Sequence, residues 1–153
     1  MTALRVTDQM VVCITDGGRS LSQRRWPRND CGPRALALAT GVSYDECAEA
    51  LTEDGGFACT RRGGTYMEQF FHALHWNETT FHGWRFEWIS FPATAGMRRM
   101  NAYKFCDEYN SGRYILNMAR HVVAVVDGVI YDTFHPRPDA CVYGAWKLIK
   151  EEL

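Results

Sequence analysis

The sequence predicts a single α+β domain in which helices come first and an antiparallel sheet follows. Three observations predict it. The chain has 153 residues, enough for one hydrophobic core and short for two. Three segments in its first half carry helix-start punctuation. Its second half alternates apolar and polar residues in short runs separated by turn dipeptides.

Residues 5–14, RVTDQMVVCI, read as a strand or arm within an N-terminal stretch of residues 1–22, with turn chemistry in TDGGRS. The first helix starts near Cys31, with Pro33 where a missing N–H costs nothing, and stops at Gly41. The second opens on a capping box, Ser43 with Glu46, and Val42 and Cys47 occupy the staple positions. In the third, Thr65 and Glu68 repeat that device, and Met67, Phe70, Phe71 and Leu74 build one apolar face. A fourth helix is expected over residues 97–109, with Ala102, Phe105, Cys106 and Tyr109 on one side, after a strand WRFEWISF. The segments GRYILNMA, HVVAVV, VIYDTF and CVYGAWKL complete the sheet.

Composition narrows the function classes. Hydrophobic content of 46%, charged content of 23% and a net charge of −1 describe an ordinary globular domain with no global attraction to nucleic acid or anionic membrane. Arg19, Arg24, Arg25, Arg28 and Arg34 cluster, as do Arg61 with Arg62 and Arg98 with Arg99; a solvated face is the expectation for all of them. The start MTALRVTDQMVVCI carries no signal-peptide pattern, and no segment has the length of a membrane span, so a cytoplasmic protein is expected. Its six cysteines are then expected as thiols; Cys13, Cys47 and Cys106 fall at core positions and Cys141 in a strand. No CxxC pair occurs. His72, His75 and His82 with Cys59 make too weak a pattern for zinc, so no metal or other cofactor is expected. Trp76, Trp84 and Trp88 read as core and rim. GFACTRRGGT, glycine-rich and basic, reads as a surface loop with Thr65 as its helix cap.

The chemistry concentrates in two places. Asp127-Gly128 is a two-residue hairpin signal that pairs Val126 with Val129 and Val125 with Ile130. Continued outward, that register sets Val123 opposite Asp132 and His121 opposite Phe134, with His121 and Asp132 on one face. A carboxylate there fixes the imidazole tautomer and leaves the second ring nitrogen for a nucleophile. Cys31, at a helix N-terminus that favours thiolate, is the nucleophile this base could serve. His135, followed by Pro136, reads as a loop residue beyond the hairpin register.

These segments carry a resemblance. NDCGPRALALATG followed by RHVVAVVDGVIYDTF resembles the papain-like cysteine peptidase superfamily, above all its compact double-glycine peptidases, over residues 23–146. GRYIL, HVVAVVDGVIYDT and CVYGAW also resemble small phage and prophage proteins that begin their helix with NDC. The resemblance implies a papain-like fold, N-terminal helices on a C-terminal antiparallel sheet. It also implies a catalytic triad of Cys31, His121 and Asp132, acting on a protein or peptide, for a phage protein one in the host's cytoplasm. It departs at Arg25, where that superfamily places a glutamine that binds the oxyanion; Gln23 and Asn29 are the nearby amides, and the sequence does not choose between them. The leading expectation is a thiol hydrolase working through a thioester. A deamidase or transglutaminase would use the same triad. A second class, a host-protein-binding inhibitor on a vestigial scaffold, is favoured by the missing glutamine and by RSLSQRRWPR. No nucleic-acid or membrane partner is expected, and the oligomeric state is not legible.

Overall fold

The computed structural model describes residues 3–7, 10–22, 30–51 and 67–151, the first segment as backbone only. Among these residues the chain runs β1 (Ala3–Thr7), β2 (Met10–Ile14), a 3-10 turn (Arg19–Leu21), α1 (Cys31–Thr40), α2 (Tyr44–Leu51), α3 (Met67–Trp76), β3 (Trp84–Ser90), α4 (Ala102–Glu108), β4 (Arg113–Met118), β5 (His121–Val126), β6 (Val129–Asp132) and β7 (Val142–Lys150). The α+β class is as expected. None of these helices is long and apolar enough to cross a membrane.

The strands form a seven-stranded sheet in the order β1-β2-β6-β5-β4-β7-β3. Two expectations are corrected here. The sheet is not solely C-terminal: β1 and β2 pair antiparallel, in place of a lone strand or arm, and β2 joins β6. That joint is parallel, Val12 beside Ile130 and Ile14 beside Asp132, whereas the remaining pairs are antiparallel. Alternation of apolar residues marks a strand but carries no information about a partner more than a hundred positions away.

Helices cover both faces, α1, α2 and α3 on one and α4 on the other. On one face Ala35, Leu36 and Ala39 of α1 pack with Cys47 and Leu51 of α2, Phe70 and Phe71 of α3, and Ile115, Val122, Ala124 and Trp146 of the sheet. On the other, Ala102, Phe105 and Cys106 of α4 pack with Leu116, Val123, Val125, Ile130 and Val12. The period of two along β4 and β5 feeds the two cores alternately. Full burial of side chains such as Leu36 and Phe105 contributes about 1.5–3 kcal/mol each.

Local signals explain most boundaries. α1 closes on Gly41, at φ 79, whose N–H bonds the Ala37 carbonyl. Ser43 Oγ accepts from the Glu46 N–H, as the capping box requires. Met67, Phe70 and Phe71 are buried as expected, and Thr65 lies outside the described residues. α4 is shorter than expected. Asn101 caps it, accepting from the Lys104 N–H at 2.7 Å, while residue 100 belongs to the β7 side through the Val142 N–H bond to the Met100 carbonyl.

Candidate active site

Cys31 is the first residue of α1, and the far end of that helix is pinned. The Trp84 indole N–H and the Arg113 guanidinium donate to the Thr40 and Ala39 carbonyls, satisfying groups that a helix C-terminus leaves without partners. Pro33, in the first turn, is buried and gives up no needed donor. Held this way, the helix lies across β4, β5 and β6. Its N-terminus meets the point where β5 begins and β6 ends.

The hairpin there has the register expected from Asp127-Gly128. Val126 pairs with Val129, Val125 with Ile130 and Ala124 with Tyr131. Both turn residues have positive φ, 50° and 76°, the conformation of a type I′ turn. The ladder then stops short of the expected Val123–Asp132 pair. Asp132 turns its backbone to β2, its carbonyl accepting from the Thr15 N–H at 2.8 Å. Its side chain spans the gap instead: Oδ2 lies 2.7 Å from His121 Nε2, and Oδ1 accepts from the Thr133 N–H at 2.7 Å. With both oxygens engaged and the residue buried, the carboxylate has one orientation.

His121 and Asp132 have the parity of Val123 and Ile130, the face that α1 does not cover. They meet Cys31 at the end of the hairpin where β5 begins and β6 ends, against the start of α1. The three line one shallow depression together with Arg34, Tyr131 and Thr133. Phe134 lies against the imidazole, ring centres 5.2 Å apart, with about half its own surface exposed.

The electrostatics follow from these contacts. Burial opposes a charge on His121, but hydrogen bonds to Asp132 and Cys31, with their charges, outweigh it and raise its pKa to about 9. Asp132 holds Nε2, which leaves Nδ1 for the sulfur. An imidazole so poised can take a proton from a thiol and keep it at neutral pH.

A buried carboxylate beside Cys31 was not singled out from the sequence. Asp30 is 6% exposed and occupies the cap position of α1, yet its side chain makes no cap hydrogen bond. It faces Arg34, with Nη2 2.8 Å from Oδ1 and Nε 3.1 Å from Oδ2; it also accepts from the Tyr44 hydroxyl at 2.8 Å and lies 3.6 Å from Arg19 Nε. Burial first, then the Asp30 hydrogen bond and charge, push the Tyr44 phenol well above its ordinary range. The legible signal was the i, i+4 spacing of Asp30 and Arg34. Arg19 and Arg34 are therefore not members of a solvated face, a correction to the sequence expectation.

Gln23, Arg24, Arg25, Arg28, Asn29, Cys59, Arg61 and Arg62 lie outside the described residues. Cys13, Cys47 and Cys106 are buried thiols, and burial raises Cys47 and Cys106 to about 12. Cys141 bridges to Asn101 just ahead of β7. His135 is a loop residue whose Nδ1 contacts the Pro136 carbonyl. His72 bonds Trp76, and His82 faces Glu46; no cluster that could hold a metal ion occurs among the described residues. Comparison with family models, curated proteins and solved structures finds no match.

Proposed function

We propose that the protein is a thiol hydrolase acting on an amide or isopeptide bond of a protein or peptide. The observation that carries this reading is the order of contacts around His121: Asp132 on Nε2, with Cys31 as the other group that raises its pKa to about 9. The Cys31 thiol passes its proton to His121 Nδ1, and the sulfur adds to the carbonyl carbon. The Cys31 backbone N–H, at the start of α1, is a donor for the resulting oxyanion. As the C–N bond breaks, His121 returns its proton to the departing nitrogen, leaving a thioester on Cys31. Water, deprotonated by His121, then hydrolyses the thioester and frees the sulfur. Asp132 holds the ring throughout.

The papain-like resemblance supports a protein or peptide as the substrate. A phage context would make that substrate a host cytoplasmic protein. Iodoacetamide at pH 6 tests the nucleophile. Modification is expected at Cys31 ahead of the other cysteines, and to be lost in His121→Ala. Labelling of other cysteines with Cys31 inert would contradict it. Host lysate incubated with wild type or Cys31→Ala, read by mass spectrometry, then separates cleavage from deamidation or cross-linking. An effect on the host that survives Cys31→Ala would favour the inhibitor reading.

A further inference from the structure

The Asp30 cluster is the strongest feature that the hydrolase mechanism leaves unused. An aspartate before a helix ordinarily caps it, accepting from the first-turn N–H groups. Here that would set a carboxylate among the donors nearest the nucleophile. Instead Asp30 turns inward to Arg34 of α1, Tyr44 of α2 and Arg19 of the 3-10 turn. Only its backbone carbonyl serves the helix, accepting from the Arg34 N–H. Gly17 makes room for this arrangement. At φ +67 it approaches the Arg34 backbone so closely that a Cβ would lie 3.2 Å from it.

We propose that Asp30 is a positioning residue for Cys31, withheld from the helix cap and neutralised by Arg34 so that the first turn stays open and free of opposing charge. The proposal rests on Cys31 being the nucleophile. Arg34 lines the same depression as Cys31 and pairs with the aspartate, so the proposal assigns its charge to both the carboxylate and the sulfur. The other groups around the thiol are His121 of β5 and Tyr131 and Asp132 of β6. Asp16, in the loop after β2, acts on Arg34 through its charge. His121, Tyr131 and Asp132 are untouched by substitution at Asp30 or Arg34; Arg34→Gln also removes the charge that faces Asp16, a change the double variant shares, so comparison of those two isolates Asp30.

The test is the rate of iodoacetamide alkylation at Cys31 from pH 4 to 10 in wild type, Asp30→Asn, Arg34→Gln, the double variant and His121→Ala. Loss of Arg34 removes the two-pronged cation at 2.8 Å and leaves Arg19 at 3.6 Å, and the midpoint is expected to rise by roughly one pH unit. Loss of the aspartate charge moves it down by a similar amount, and the double variant returns near wild type. Arg34→Lys, which keeps the charge without the two-pronged contact, is expected to hold the wild-type midpoint. Should Asp30→Asn or Arg34→Gln fail to fold, Arg34→Lys and Tyr44→Phe carry the decision: both keep the charges, so a one-unit shift in either contradicts the proposal. Shifts of the same sign in Asp30→Asn and Arg34→Gln, or none, also overturn it. His121→Ala separates the two failures. If it moves the midpoint while the Asp30 and Arg34 variants do not, only the positioning role falls; if it too leaves the midpoint unchanged, the nucleophile assignment falls.

Discussion

Asp132 shows how one side chain can replace a missing piece of backbone ladder. Its Oδ1 is committed to the Thr133 N–H, so the atom facing His121 must be Oδ2. An asparagine at this place must keep its carbonyl oxygen toward Thr133 and turn its amide N–H₂ toward His121 Nε2. That donor demands the imidazole tautomer with its proton on Nδ1, where the thiol's proton has to go. Asp132→Asn is therefore expected to slow Cys31 alkylation at pH 6 by roughly a hundredfold, with the fold retained by circular dichroism. An unchanged rate would show that the carboxylate does not orient the ring. His121 and Asp132 were named from the sequence because a turn dipeptide counts outward to a register, and Cys31 because the glycine and proline after it mark the start of a helix. Asp30 was not, since an aspartate ahead of a helix looks the same whether it caps or turns inward.

At the scale of elements, the β5–β6 hairpin delivers two of those three side chains, and its turn is the fixed point of the register. Gly128 sits at φ +76, and a Cβ there would lie 3.1 Å from the Cys106 carbonyl of α4. The Asp127 carboxylate and N–H bond the N–H and carbonyl of Gly112, tying the tip to the start of β4. Gly128→Ala is expected to cost at least about 1–2 kcal/mol for the left-handed backbone alone, read as a lower urea midpoint. A midpoint equal to wild type would mean that the tip relaxes freely. The hairpin and the starts of α1 and α2 were legible because each is a local signal. The parallel β2–β6 joint and the second helical layer were not, because they depend on which distant surfaces meet. The shorter α4 has its own cause: Met100 and Ala102 bond to the chain around β7, and Asn101 between them makes the cap.

For the molecule as a whole, the site couples to folding. His121 has a raised pKa in the folded chain, about 9 against 6.5 for the free side chain. The folded state therefore binds this proton more tightly than the unfolded state does. The associated stability is present in full below about pH 6.5 and is lost as pH rises to about 9. Urea unfolding at pH 6 and pH 9.5 is expected to show a larger wild-type advantage over His121→Ala at the lower pH, and an advantage independent of pH would contradict this. The most direct measurement follows the proposed base with and without its partner: the imidazole signal of His121 by NMR across pH in wild type and in Cys31→Ser. The account predicts a midpoint near 9 in wild type that falls when the sulfur is removed. A midpoint at the ordinary value of 6.5, unmoved by the substitution, would contradict it.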